Sequence, residues 1–293
     1  MSNAGPTVRR SREEEQVMAE QVWFITGTSR GLGRSVAEEA LAAGRQVVAT
    51  ARRTHTLDDL AERYGDRLLT VPLDVTDPAQ ASAAVDRAVQ HFDRIDVVVN
   101  NAGYADLAPI EEVSLDAFRA QVEAVFFGTV HVTKAALPVF RRQGSGFFIQ
   151  VTSIGGRLTA PGLAAYQSAK FAVEGFSSVL RQEVGPLGIR VTLAEPGAMR
   201  TDWAGASMDI PAFGPDYEPT VGVMATRLRE TSGAEPIDPV KVARVFLDLA
   251  DNPRPPLHLV LGSAAVDHIA AASRDTAAED EHWASVGRSV DFS

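Results

Sequence analysis

The sequence predicts a single α/β domain in which a doubly wound parallel sheet of about seven strands lies between two layers of helices. Three observations carry that expectation. From Gln21 onward, short apolar runs rich in β-branched and aromatic residues alternate with longer segments of helical period, the pattern of parallel strands joined by crossover helices. The runs are short and continuously apolar, as strands buried on both faces are. Glycines stand behind three of the helical segments, at Gly44, Gly65 and Gly144, where a helix C-terminus favours a left-handed residue.

In order, strands are expected at Val22 to Ile25, Gln46 to Ala49, Leu68 to Val71, Asp96 to Val99, Phe147 to Val151, Arg190 to Leu193 and Leu257 to Leu261. Helices are expected between them at Gly33 to Ala43, Thr56 to Tyr64, Pro78 to Phe92, Ser114 to Arg142, Leu163 to Val184 and Pro239 to Ala250. Residues 202–236 break the rhythm with Gly, Pro and scattered aromatics. A long irregular loop inside a compact domain is usually functional, so this stretch is expected to be a substrate lid. The domain then spans 21–262, preceded by a solvated tail over 1–20, where Arg9, Arg10 and Arg12 precede Glu13, Glu14 and Glu15, and followed by a helical extension over 263–293.

Composition narrows the function classes. A chain of 293 residues, 45% hydrophobic and 23% charged, is an ordinary soluble globular protein. Its net charge of -10 speaks against a nucleic-acid partner, which demands clustered Lys and Arg. Cysteine is absent, which removes disulfides, thiolate metal sites and Cys nucleophiles and suits the cytoplasm. No continuous apolar run reaches the roughly 18 residues that cross a bilayer, so no membrane partner is expected. Six scattered histidines lack metal-ligand spacing, so no metal is expected either.

The chemistry begins behind the first strand, at Thr26-Gly27-Thr28-Ser29-Arg30-Gly31-Leu32-Gly33. Glycines at a strand-to-helix turn let the backbone approach a pyrophosphate, and the helix N-terminus offers free NH groups and partial positive charge. The spacing departs from G-x-G-x-x-G, and Arg34-Ser35 follows where a nucleoside-triphosphate loop needs Lys and then Ser or Thr. The second strand ends Thr50-Ala51-Arg52-Arg53, without the carboxylate that would accept the 2′-hydroxyl of NAD. Arg52 with Arg30 is expected to clamp the 2′-phosphate of NADP(H), NAD(H) being the lesser fit. Further on, Tyr166 and Lys170 stand four apart, one helical turn, and Ser153 ends the fifth strand. A lysine beside a tyrosine should lower the phenol's pKa, making an acid and base pair, with Ser153 donating to a substrate oxygen.

Taken with Asn100-Asn101-Ala102-Gly103, Tyr166-Gln167-Ser168-Ala169-Lys170 and Pro196-Gly197-Ala198-Met199-Arg200-Thr201, these motifs make the chain resemble the classical short-chain dehydrogenase/reductase family from about Gln21 to Gly262. The resemblance implies a Rossmann-like single domain and a catalytic set of Ser153, Tyr166 and Lys170. In it Tyr166 would protonate a carbonyl oxygen polarised by Ser153 as hydride arrives, and Lys170 would hold the nicotinamide ribose. Cofactor binding would involve Gly27, Ser29, Arg30, Gly31, Leu32 and Gly33 in the turn, Arg52, Asp74 and Val75 toward the adenine, and Asn101, Ala102 and Gly103 behind the pocket. Tyr166, Lys170, Pro196, Gly197 and Thr201 complete that set, with Thr201 at the carboxamide.

One position departs from the family pattern. Val125 stands three residues before Gly128, where many members place an Asn that holds a water in the proton relay to the lysine. Either backbone carbonyls and water support the relay, or turnover is slowed or a different reaction is run. Two function classes follow. One is an oxidoreductase using NADP(H) on a carbonyl or secondary alcohol, the substrate a small molecule of hydrophobic or cyclic kind, because the lid carries Trp203, Met208, Ile210, Phe213, Tyr217 and Met224. The other is a protein of the same fold that binds NADP(H) in a sensing or non-redox role. Those lid residues would equally serve to pack the lid on the body, and Trp203 either borders the active-site mouth or anchors the loop. The resemblance also implies a homodimer or homotetramer through the long helices.

Overall fold

A computed structural model describes residues 21–203, 205 and 207–292; the expected N-terminal tail lies outside the described residues. Seven strands, β1 (Val22–Thr26), β2 (Gln46–Ala51), β3 (Leu68–Pro72), β4 (Val97–Asn100), β5 (Gly146–Val151), β6 (Ile189–Pro196) and β7 (His258–Leu261), form one sheet. Its order is β3-β2-β1-β4-β5-β6-β7, and every neighbouring pair is parallel. The residues of β1 show why. Val22, Trp23, Phe24 and Ile25 are all fully buried, and the period-two geometry of a strand sends them to opposite faces. Trp23 and Ile25 join Val47, Val97 and Phe147 in one core, while Val22 and Phe24 join Val48, Val98 and Phe148 in the other.

Two cores require cover on both sides, and the helices supply it. In chain order they are α1 (Gly31–Ala42), α2 (Asp58–Tyr64), α3 (Pro78–Phe92), α4 (Leu115–Val122), α5 (Gly128–Gln143), α6 (Ala164–Val184), α7 (Val223–Thr231), α8 (Pro239–Asp251) and α9 (Ser263–Arg288). Val36, Leu41 and Phe246 from α1 and α8 close the first core; Val85, Phe140 and Leu180 from α3, α5 and α6 close the second. Local chemistry sets the helix ends. The Asp77 carboxylate accepts from the amides of Ala79 and Gln80 at 2.8 and 3.2 Å to start α3, with Pro78 pre-set for its first turn. Gly44 and Gly144 take the left-handed conformation behind α1 and α5, with φ of 84° and 67°.

Three features depart from the expectations. The helix expected from Ser114 to Arg142 runs from Leu115 to Gln143 but contains a π turn at Glu123–Phe127, between α4 and α5. That wider turn leads into Gly128, where a Cβ would come within 2.6 Å of Val75 Cγ2. The lid stretch holds a regular helix, α7, whose one narrow apolar face, Met224, Ala225 and Leu228, is only half-buried against the body. Finally, Leu115–Gln143 is long and apolar enough, by composition, to match a membrane-crossing helix. Here Val132, Ala136 and Phe140 from that run are buried in the second core instead.

The sheet order reverses direction at β1 and β4. In such sheets the crevice outside the carboxyl ends of the strands at the switch point is the natural ligand site. The segments following β1, β2, β3, β4, β5 and β6 carry the glycine turn, Arg52, Asp74, Asn101, Ser153 and the Gly197–Thr201 segment.

Candidate active site

The chain leaves β1 through Gly27 and Gly31, both with positive φ, 71° and 59°. Gly33 is required by packing, because a Cβ there would stand 2.3 Å from the Gly27 carbonyl oxygen and 2.5 Å from Asn101 Nδ2. Asn101 Nδ2 donates to the carbonyls of Thr26 and Gly27 at 2.9 and 3.2 Å. The backbone amides of Asn101 and Ala102 donate to Thr26 Oγ1 at 2.9 and 3.0 Å. The motif behind β4 therefore locks the turn behind β1. Arg30 caps α1 without a side-chain hydrogen bond, and no acidic residue sits in the first turn, so that helix end keeps its positive character. Across the crevice, Thr201 is the side chain facing the missing Cβ of Gly31, at 3.6 Å. A narrow, glycine-lined cradle of this kind fits the phosphates of a dinucleotide.

The predicted cofactor residues divide by what they can offer. Leu32 is buried in the first core, which leaves only its backbone for a ligand, whereas Ser29 is half-buried in the turn. Arg30 and Arg52 are exposed, and the Arg52 charge is felt by the Tyr104 phenol. Asp74 is engaged in its own loop, its carboxylate accepting from the amide and hydroxyl of Thr76 at 3.1 and 2.8 Å. The Val75 carbonyl is paired with His131 Nδ1 at 3.0 Å. Arg34 lies apart from the cradle and pairs with Glu38 and Asp59.

Behind β5, Ser153 opens a short 3-10 turn, its hydroxyl accepting from the Gly155 amide at 3.0 Å, donating to the Pro196 carbonyl at 3.4 Å and facing the Tyr166 phenol. Tyr166 and Lys170 share one face of α6 and are buried. Lys170 Nζ donates to the Val151 carbonyl at 2.7 Å and lies 5.8 Å from the centre of the Tyr166 ring. The phenol does not titrate as the spacing suggests. Burial pushes it up to about 12, opposed by the Ser153 hydroxyl. Burial likewise pushes Lys170 down to about 8, opposed by the charge of Glu174. Spacing alone conveys the attraction between the pair, but both groups are desolvated, and desolvation penalises each charged form.

The stretch after Thr201 closes over this pair. The Trp203 ring lies 5.3 Å from that of Tyr166, tilted by 57°. Met208 is buried, and Ile210, Phe213, Tyr217 and Met224 pack with Leu107, Leu163 and Val221 in an apolar cluster that includes Tyr166. Trp203 thus both borders the phenol and anchors the loop. Hydrogen bonds tie the stretch down, from the Leu107 amide to the Asp209 carbonyl at 2.9 Å and from Tyr217 to Glu111. Val125 is buried in the same cluster, and its carbonyl accepts from Thr129 Oγ1 at 3.0 Å.

Sequence reasoning passed over a second group of polar residues. Glu174 is buried on α6 one turn beyond Lys170; Glu195 is fully buried on β6, and His258 begins β7. His258 Nδ1 is 2.7 Å from Glu195 Oε1 and 3.4 Å from Glu174 Oε2, and Arg157 pairs with Glu195 at 3.0 Å. The four-residue step from Tyr166 through Lys170 to Glu174 was readable, whereas His258 joins the group only through the pairing of β6 with β7.

Residues 21–209 match the family model described as short chain dehydrogenase. The chain is 50% identical over 264 residues to an oxidoreductase of Botryotinia fuckeliana, BOA17, covering 90% of this chain and 96% of that one. A crystal structure of a short-chain dehydrogenase from Streptomyces avermitilis superposes with a TM-score of 0.87 at 38% identity, covering 93% of this chain and 99% of the other. At 25% identity the chain is similar to a Burkholderia cenocepacia short chain dehydrogenase in complex with NADP (TM-score 0.70, 89% and 96% covered). It is equally similar to a Brucella melitensis 3-ketoacyl-(acyl-carrier-protein) reductase complexed with NADH (TM-score 0.69, 82% and 96% covered). With the fold, the cradle and these relatives in agreement, the chain belongs to the short-chain dehydrogenase/reductase family and is an oxidoreductase.

Proposed function

We propose that the protein uses NADP(H) to interconvert a carbonyl compound and its secondary alcohol, with a hydrophobic or cyclic ketone as substrate. The observation that carries this reading is the Tyr166 phenol, buried between Ser153 and Trp203 under an apolar lid beside the glycine cradle. Residues Gly27 to Gly33, with Thr201 opposite, would hold the dinucleotide, and the nicotinamide when bound supplies or accepts the hydride. Tyr166 gives its proton to the carbonyl oxygen, Ser153 steadies that oxygen, and the ammonium of Lys170 compensates the phenolate left behind. The bare β2 tip and the exposed Arg30 and Arg52 favour the 2′-phosphate, and the apolar lid favours an apolar substrate.

The test is loss of NADPH or NADH absorbance against a panel of ketones and aldehydes. Tyr166→Phe should keep cofactor binding and lose roughly 10²- to 10⁴-fold in kcat. Wild-type turnover by that variant would refute the assignment, and tight NADPH binding without turnover across the panel would favour the sensing or non-redox reading. We also propose a homodimer or homotetramer, since Leu115 and Phe127 on the α4–α5 run and Phe171 and Val179 on α6 are exposed apolar side chains. A monomer in light scattering would reject that.

A further inference from the structure

We propose that Glu174 carries protons between Lys170 and solvent by way of His258, replacing the relay that Val125 cannot provide. This rests on the reading of Tyr166 as the proton donor. The helical period of α6 sets Tyr166, Lys170 and Glu174 in one row, all three buried. At its far end the row meets His258, whose side chain is 42% exposed and whose Nδ1 lies 3.4 Å from Glu174 Oε2. Glu174 thus carries the charge felt by Lys170 one turn before it and lies 3.4 Å from an imidazole that reaches water. On the other side of Tyr166 the side chain at position 125 is buried hydrocarbon, with its carbonyl already engaged by Thr129.

Glu174 is better suited to the task than Glu195. Glu195 is held at both oxygens, by Arg157 and by His258. The groups facing Glu174 are the Thr152 hydroxyl, Lys170, Glu195, Arg157 and His258. Burial and the neighbouring Glu195 charge push Glu174 up to about 7, so it holds or releases a proton near neutrality. A divalent cation is a weaker occupant of the Glu174, Glu195 and His258 group, because Glu195 is already paired with Arg157 and with His258 Nδ1.

The balance closes with one proton taken from water per hydride delivered. Tyr166 O–H breaks as the substrate O–H forms, and the phenolate is recharged from Lys170. Across an intervening water the Lys170 amine then takes the Glu174 carboxyl proton, and the carboxylate is reprotonated from His258 or water. Oxidation of an alcohol runs the same chain outward.

The experiment compares wild type with Glu174→Gln, Glu174→Asp and the exposed-side variant His258→Gln. Carboxyl-carbon NMR of glutamate-labelled protein, read without turnover, should show one glutamate titrating near neutrality that vanishes in Glu174→Gln and moves in His258→Gln. All glutamates titrating near the ordinary value of about 4.3 would overturn the proposal. With NADPH and a ketone substrate, Glu174→Gln should lose about 10²-fold in kcat at unchanged KM, with a larger solvent isotope effect and partial rescue by added imidazole, and Glu174→Asp should retain most turnover. An equal fall at every pH without rescue would also overturn it. Tyr166→Phe in the same assay keeps the failures apart, since its full turnover would remove the reaction reading while the carboxyl titration still judges Glu174.

Discussion

Replacing Gly33 by alanine adds a single methyl group at the tightest point of the cofactor cradle. That carbon would stand 2.3 Å from the Gly27 carbonyl oxygen and 2.5 Å from Asn101 Nδ2, neither of them the free end of a flexible chain. To relieve the overlap, the turn must move or Asn101 must surrender its hydrogen bonds to Thr26 and Gly27 at 2.9 and 3.2 Å. Overpacking of this kind costs roughly 1–3 kcal/mol, and each neutral hydrogen bond lost roughly 0.5–1.5 kcal/mol. A combined penalty on the order of 3 kcal/mol, falling on the bound conformation of the turn, is roughly a hundredfold in cofactor affinity. Calorimetric titration of NADPH measures it, with thermal unfolding as the check on folding. Gly175→Ala is the control, because that glycine sits exposed inside α6 with no atom of the described residues within 4 Å of the added carbon. There the same change should stabilise the protein by about 0.8–1 kcal/mol through helix propensity alone. NADPH binding by Gly33→Ala within twofold of wild type would refute the assignment of the turn as the phosphate cradle.

Arg52→Asp removes a cation and places a carboxylate at the β2 tip. If a charge-assisted bond to the 2′-phosphate contributes roughly 1.5–3 kcal/mol, NADPH affinity should fall roughly 10- to 100-fold while NADH gains, and an unchanged NADPH preference rejects the clamp. Trp203→Ala uncovers the Tyr166 ring. Loss of roughly 1.5–3 kcal/mol of apolar contact should raise KM for a cyclic ketone by about tenfold or more, and an unchanged KM would mean that the lid does not line the substrate site. Stability should also depend on pH in a way set by the buried row. Glu174, pushed up from 4.5 to about 7, binds a proton in the folded chain that the unfolded chain has released between those values, so its contribution is lost as pH rises through that window. Lys170, pushed down from 10.5 to about 8, acts in the opposite sense, and stability returns as pH rises from about 8 toward 10.5. Denaturant midpoints against pH should flatten below neutrality in Glu174→Gln, and an unchanged curve removes this account of Glu174.

Much of the fold was legible because its strands advertise themselves. A run such as Val22 to Ile25, buried on both faces, is continuously apolar, and the glycines behind α1 and α5 mark their ends. The cradle was readable for a related reason, since Gly27, Gly31 and Gly33 answer to backbone constraints that a side chain would violate. The helix α7 hid because it is short and its apolar face is only Met224, Ala225 and Leu228 among exposed polar residues. The π turn before Gly128 hid because nothing in the residue types of Glu123–Phe127 marks it, and the close approach of Val75 to Gly128 comes from a distant loop. The contacts of His258 with Glu174 and Glu195 arise from sheet order and burial, which spacing along one helix does not convey.

The pKa directions show why those two carboxylates bear on the chemistry. A phenol pushed up by burial keeps its proton firmly, which suits a donor, but the phenolate formed on donation would be a desolvated anion. Only a cation nearby makes that state accessible, and burial works against the charge of Lys170 as well. The charge of Glu174 opposes that fall, so the carboxylate form helps keep the lysine cationic, while the acid form is the one with a proton to give. The two demands are reconciled if Lys170 and Glu174 titrate as a coupled pair whose single shared proton moves between them. Under that coupling Glu174→Gln is more than the loss of a relay, because it also withdraws the charge that sustains Lys170, and the pH limb assigned to the lysine should shift downward. Glu174→Asp keeps both the charge and a transferable proton, so it should leave the lysine limb in place and retain most turnover.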